Sequence, residues 1–355
     1  MKIQSEQIGS IPRRKELMDA YSRFDKGEIS EKDLDEFATI ETINTIKELE
    51  KTGSYIITDG EQRKFKGFTS YCLHCSDLVK EGTVGLMFED GHLRTMPELI
   101  QGPFRYNQYA YEHLELTLKH TDLQVKQAII SPSMLSLVYP KKGIKNYSKI
   151  EFIQHLIQEH VKEIRGCLEL GASKVQIDFT EARFSLKLDP SGELLKDFVD
   201  LINMSLDEFS KEERKKIGIH TCPGADLDMK HSADIDYKYL LPSLMEINVG
   251  NFYVAMSSEV EKEKALRLIG KVLKPDQTVF VGVVDPINGE LETPQMVRDR
   301  IIEASKYIRL DQLGTTDDCG FSPFADDLST SREMAFNKIK ARIEGTRLAE
   351  DILFN

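Results

Sequence analysis

The chain has 355 residues, 40% of them apolar and 30% charged, which suits one large barrel or two modest domains of an ordinary globular protein. Its formal net charge of -12 argues against a nucleic-acid or anionic-membrane surface, and no run approaches the roughly 20 apolar residues of a membrane span. The opening MKIQSEQIGS lacks the basic start and apolar run of a signal peptide, so a cytoplasmic protein is expected.

Short apolar runs alternate with longer helical ones. Residues 3–10 form a first strand candidate ending at Gly9-Ser10, and 14–52 carry helical periodicity up to Thr52-Gly53. YIITDG at 55–60 reads as a strand from its β-branched and aromatic content. Residues 61–126 break the rhythm with glycines and aromatics and no clear period, so they are expected to be an irregular insertion over the barrel mouth. Strand candidates then recur at 127–132, 174–179, 217–222, 251–256, 278–284 and 312–317. Helices are expected between them at 149–170, 191–209, 234–247 and 259–272, with Thr293-Pro294 opening another. Thr330 and Glu333 read as a capping box for a final helix whose apolar face is Ala335, Phe336, Ile339 and Ile343. Eight strands separated by helices predict an α/β fold, a (β/α)8 TIM barrel spanning residues 1–355 with an insertion after strand 2. A doubly wound open sheet is the alternative, but no strand is followed by a glycine-rich phosphate fingerprint.

Barrel active sites lie at the C-terminal ends of the strands. Here those ends read Gly9-Ser10, Asp59-Gly60-Glu61, Asp178, His220-Thr221-Cys222, Asp285 and Asp317-Asp318-Cys319. His220 and Cys222 are two apart, so on a strand they face the same side. An imidazole and a thiolate suit zinc, and Cys319 at the end of the last strand is the candidate third ligand. The competing reading is a buried pair of core side chains. Three protein ligands leave zinc an open position, where an arriving thiol loses its proton. Two thiolates make bound water less acidic, which tilts the expected chemistry toward alkylation of sulfur rather than hydrolysis. The five cysteines, Cys72, Cys75, Cys167, Cys222 and Cys319, are an odd number in a large chain and argue against a disulfide framework. Cys72-Leu73-His74-Cys75 is a second soft-ligand cluster, but it has no second cysteine pair, and packing under a loop is its favoured reading.

These residues resemble the catalytic half of cobalamin-independent methionine synthase. The resemblance is carried by IGSIPR (8–13), DGEQRK (59–64), QID (176–178), HTC (220–222) and DCG (318–320), and runs over most of the chain. It implies that His220, Cys222 and Cys319 bind zinc, and that Ser10, Glu61 and Asp178 hold the amino-acid portion of homocysteine. Carboxylates suit an ammonium group, although Asp178 could instead cap the following helix and Glu61 could be a loop charge. The implied activity is methyl transfer to homocysteine, giving methionine, from methyltetrahydrofolate or a methyl-carrier protein. Three departures stand out. Met256 occupies the position of the family's fourth ligand, a glutamate, with Glu259 three residues on. Asp285-Pro286-Ile287 replaces a histidine near the seventh strand. The chain has no Trp to stack a folate, leaving Phe184, Tyr253, Phe321 or Phe324 for that role. Arg183 and Arg63 are candidates for an anionic substrate tail, with surface salt bridging the commoner fate.

Two alternatives remain at this level. The zinc site could serve another thiol, as in the similar enzymes that open an epoxide with coenzyme M. The barrel also resembles that of uroporphyrinogen decarboxylase, a metal-free lyase working with carboxylates and arginines. The sequence leaves open the donor, the physiological thiol and the oligomeric state, a homo-oligomer included.

Overall fold

A computed structural model describes residues 2–354. Eight strands form the central sheet: β1 (Gln4–Ser5), β2 (Ile56–Ile57), β3 (Gln124–Ile130), β4 (Lys174–Asp178), β5 (Ile217–Thr221), β6 (Asn251–Val254), β7 (Thr278–Val284) and β8 (Leu313–Asp317). All the pairings between them are parallel, and their order is β1-β8-β7-β6-β5-β4-β3-β2. Parallel neighbours need a crossover, and each is supplied by a helix packed outside the sheet. The outer helices are Glu31–Glu50, Ala110–Leu118, Lys149–Leu170, Glu193–Leu206, Tyr237–Leu244, Lys262–Val272, Pro294–Ser305 and Arg332–Leu353. This is the expected (β/α)8 barrel.

The ends of the ring, β1 and β2, share no strand ladder. They meet through loop contacts beyond their C-terminal ends. Ile11 N donates to Gly60 O at 3.0 Å, and Thr58 Oγ1 to Gly9 O at 3.0 Å. The strands are buried because both faces are covered, one by helices and one by the barrel interior, which explains their near-continuous apolar sequence. Inside, Tyr253 stacks on Phe280 at 4.6 Å between centroids and donates to Glu6 Oε2 at 2.7 Å. Tyr253 is fully buried there, which removes it as a stacking residue for a substrate.

Several boundaries differ from the sequence expectation. The helical stretch at 14–52 is two helices, Lys15–Asp25 and Glu31–Glu50, separated by Gly27 in the left-handed region at φ 69°. The second restarts on a capping box in which Ser30 Oγ accepts from Asp33 N and Asp33 Oδ2 accepts from Ser30 N. The final helix is capped by Ser331, not Thr330, which instead donates to Pro286 O at 2.8 Å. The insertion is more regular and shorter than expected. Val79–Lys80 pairs with Glu98–Leu99, and Gly85–Met87 with Leu93–Thr95, both antiparallel. The outer helix Ala110–Leu118 and the start of β3 follow within the stretch expected to lack a period. The second hairpin contacts loops at the C-terminal end of the barrel. Glu89 N donates to Lys230 O at 3.0 Å, and Arg94 forms a two-point bond with Asp226 at 2.5 and 3.0 Å. Among the described residues, no helix is long and apolar enough to cross a membrane.

Candidate metal centre and its cavity

β5 carries His220 one residue before its end, with Cys222 just beyond it, and the period-2 pleat turns both side chains to the same side. Cys319 lies two residues past β8. The donor atoms of the three residues lie within 4.8 Å of one another, although β5 and β8 are separated by two strands. The sulfurs of Cys222 and Cys319 are 3.1 Å apart as free thiols. All three side chains are buried, and neither ring nitrogen of His220 has a hydrogen-bond partner. A buried imidazole without a partner is costly in a purely packed core. The contact with Cys319 lowers the Cys222 thiol and raises that of Cys319, so the pair tends toward one thiolate. Burial pulls the His220 imidazole down, but the negative charge on Cys222 outweighs it and raises the group. One nitrogen and two sulfurs, converging with unused lone pairs, fit a zinc-class ion.

A small cavity of about 20 Å³ adjoins His220 and Cys319, lined also by Ser10, Glu61, Asp178, Thr180, Phe68 and Pro323. Glu61 reaches it from a left-handed backbone at φ 57°, fixed by its own N–H donating to Asp59 Oδ1 at 2.8 Å. Gly9 makes room, because a Cβ there would lie 2.3 Å from Glu61 Oε1. Burial pushes the Glu61 carboxyl up to about 7, with Lys64 restraining the rise and Asp178 and Asp59 adding to it. Lys64 Nζ is 3.5 Å from Glu61 Oε2, and that oxygen accepts no hydrogen bond. Asp178 accepts from Gln176 Nε2 at 2.7 Å. Ser10 Oγ accepts from Ser322 N at 3.2 Å. Two of the candidate metal donors, His220 and Cys319, and the Glu61 and Asp178 side chains therefore border one small cavity.

Comparison with known proteins sets this arrangement in a family. The family described as "Cobalamin-independent synthase, Catalytic domain" matches residues 3–334. The chain belongs to this family. It is 23% identical to a methionine synthase of Sulfurisphaera tokodaii over 98% of this chain and 93% of that protein. It is 24% identical to a methionine synthase of Saccharolobus solfataricus, over 98% and 94%. The same fold is seen in a B12-independent methionine synthase from Shewanella sp. W3-18-1, solved in complex with selenomethionine. Its TM-score is 0.79 at 17% identity, covering 100% of this chain and 99% of that one. Membership of the cobalamin-independent synthase family makes the chain a methyltransferase of the methionine synthase kind.

Other expected residues lie elsewhere. Arg183 Nη1 donates to Glu259 Oε2 at 3.1 Å, and Arg183 Nη2 donates to the carbonyls of Ala233 and Ile235. Arg183 is thus not among the cavity walls, and Glu259 holds an ion pair rather than joining the cluster. Arg63 bonds Asp35 and Thr39. Asp285 lies 3.7 Å from Lys230. The Met256 N–H donates to Asp318 Oδ1 at 2.8 Å. Two further motif residues carry contacts that the sequence does not signal. Lys64 closes DGEQRK and is fully buried against Glu61. Asp318 opens DCG and bonds three consecutive backbone N–H groups after β6. A lysine or aspartate in a motif carries no sign of burial, so only the fold could separate these from surface charges.

Proposed function

We propose that this chain methylates the thiol of homocysteine to give methionine, with zinc held by His220, Cys222 and Cys319 and the amino-acid end held by Ser10, Glu61 and Asp178. The observation that carries the reading is the convergence of one imidazole and two thiols, with His220 and Cys319 of that group also lining a cavity walled by two carboxylates. Zinc, when bound, supplies one property: it makes a neighbouring thiol a thiolate at neutral pH. The protein's own groups do the rest. The Asp178 and Glu61 carboxylates attract the substrate ammonium, and its arrival favours the ionised form of Glu61, whose carboxyl burial, with Asp178 and Asp59 beside it, pushes up to about 7. The Ser10 hydroxyl beside Gly320 suits the substrate carboxylate as a donor. Phe68 and Pro323 add apolar walls beside the polar groups. The selenomethionine held by the Shewanella relative is the selenium analogue of the product proposed here.

The methyl group moves as a cation equivalent from donor to sulfur, and the thiol proton leaves to solvent or to the departing donor nitrogen. A reduced folate is the proposed donor, and a methyl-carrier protein is the second. Coenzyme M chemistry is less well served, because Arg183 is committed to Glu259 and offers no free guanidinium to a sulfonate. The test is methionine formation from homocysteine and methyltetrahydrofolate by the zinc-loaded protein. Cys222→Ser and Cys319→Ser should each lower zinc content and rate together, by at least about 100-fold in rate. Methylation from another donor alone would replace the folate. Failure of every donor to methylate homocysteine would overturn the reading.

A further inference from the structure

We propose that Glu31, His74 and Cys75 form a second metal site, for a borderline divalent cation of the zinc class. Their donor atoms lie within 4.8 Å of one another, and the group shares no residue with the first cluster. Cys75 Sγ is 3.2 Å from His74 Nε2. Two adjacent residues bring their donors together this way because Cys75 is in the left-handed region at φ 56°, a conformation that a non-glycine residue takes at a cost.

The surroundings hold the pair in place. Asn107 Nδ2 donates to His74 O at 2.7 Å, and Asn107 N to Cys72 O at 2.7 Å, so one residue clamps both ends of the short turn. The His74 ring packs against Phe65 at 4.5 Å and Phe24 at 5.7 Å between centroids, which fixes its orientation. Glu31 comes from the first turn of the helix Glu31–Glu50. Asp33 serves the Ser30 capping box there, so Glu31 is not needed for it. The Glu31 carboxylate makes no hydrogen bond or ion pair among the described residues. Cys72, the other half of the sequence cluster, is fully buried in the core, so only part of Cys72-Leu73-His74-Cys75 is loop packing.

The ligand types choose the metal. A thiolate and an imidazole exclude a calcium or magnesium site, which needs oxygens throughout, and join with one carboxylate to suit zinc. Three protein ligands leave a position open, and His74 and Cys75 line a cavity of about 650 Å³. Such an ion ties the insertion to the outer helix after β1, a link that no covalent bond supplies.

Cobalt titration tests this without any turnover. The Cys222→Ser/Cys319→Ser double variant lacks the first site's sulfurs. It should still bind one equivalent and show thiolate-to-cobalt charge transfer, and adding Cys75→Ser should abolish the band. In the otherwise unaltered protein, zinc should saturate at two equivalents, and Cys75→Ser or His74→Ala should leave one. Glu31→Gln should weaken the second equivalent by at least about tenfold and spare the first. Should the double variant fail to fold, the count of two falling to one in Cys75→Ser decides alone. Saturation of the unaltered protein at one equivalent that Cys75→Ser retains, or two equivalents retained in Cys75→Ser, would overturn the site.

Discussion

Burial of single carboxyl groups sets how this protein answers pH. Glu163 sits in the helix Lys149–Leu170, fully buried, accepting from Tyr71 Oη at 2.6 Å and Ala110 N at 2.9 Å. Burial pushes its carboxyl up from 4.5 to about 7 despite those bonds. A folded-state value above the unfolded one means that the folded protein binds the extra proton. Its stabilising contribution is therefore complete below about pH 4.5 and is lost as pH rises through 7. The full span corresponds to about 3 kcal/mol. Glu163→Gln keeps an acceptor for Tyr71 and Ala110 and cannot ionise. Denaturant melts between pH 5 and 7.5 should show a flatter decline in stability for the variant, with the two proteins closest at the acid end. An unchanged slope would mean that Glu163 is ionised in the folded protein. The candidate metal ligands were legible at this scale because H-x-C places two donors on one side of any strand. The Arg183–Glu259 pair was not, since nothing in a sequence marks two charges 76 residues apart as partners.

At the scale of elements, the loop after β6 is held from β8. Asp318 accepts from Met256 N, Ser257 N and Ser258 N at 2.8, 2.8 and 2.9 Å, and from Ser258 Oγ at 2.9 Å. Gly282 on β7 permits this reach, because a Cβ there would lie 1.9 Å from Asp318 Oδ1 and 3.0 Å from Met256 N. Cys319 is the next residue, so the same bonds fix the backbone that carries the third sulfur. Gly282→Ala should displace Asp318 and strand buried N–H groups, costing about 2–5 kcal/mol. It should weaken zinc binding as Asp318→Ala does, although residue 282 is not in the metal cluster. Parallel melts and zinc titrations of the two variants check the equivalence, and unaltered zinc affinity in Gly282→Ala would refute it. The long strands were readable from their apolar runs, and β7 spans the expected residues 278–284. β1 and β2 were overestimated, because apolar residues at 3–10 and 55–60 continue into loops and only two residues of each join a ladder. The helix Ala110–Leu118 went unread because the aromatic-rich stretch before it hides its period.

Across the whole molecule, the ring is weakest where β1 and β2 lack a ladder, and that seam carries Ser10 and Glu61. The last helix holds β1 on its other side, against β8. Arg342, fully buried, donates to Glu6 O at 2.5 Å and Asp317 Oδ2 at 2.8 Å, joining the end of β8 to the residue just past β1. Burial pushes Asp317 up to about 6, and Arg342 is the nearest group pulling it down. Arg342→Met removes the first of the two cations that pull the buried Asp317 carboxyl down, leaving only Lys126. Breaking a buried pair from one side costs about 3–5 kcal/mol. The loss should depend on pH. Without Arg342, Asp317 can stay in the core only as the neutral acid, so the penalty grows as the unfolded chain ionises it. The variant should therefore lose more stability at pH 8 than at pH 5. Hydrogen exchange should quicken first at the amides of β1 and the loop bearing Ser10, before the ladders of β4, β5 and β6 open. Uniform acceleration around the barrel would show instead that β1 has no separate opening and does not rest on this arginine.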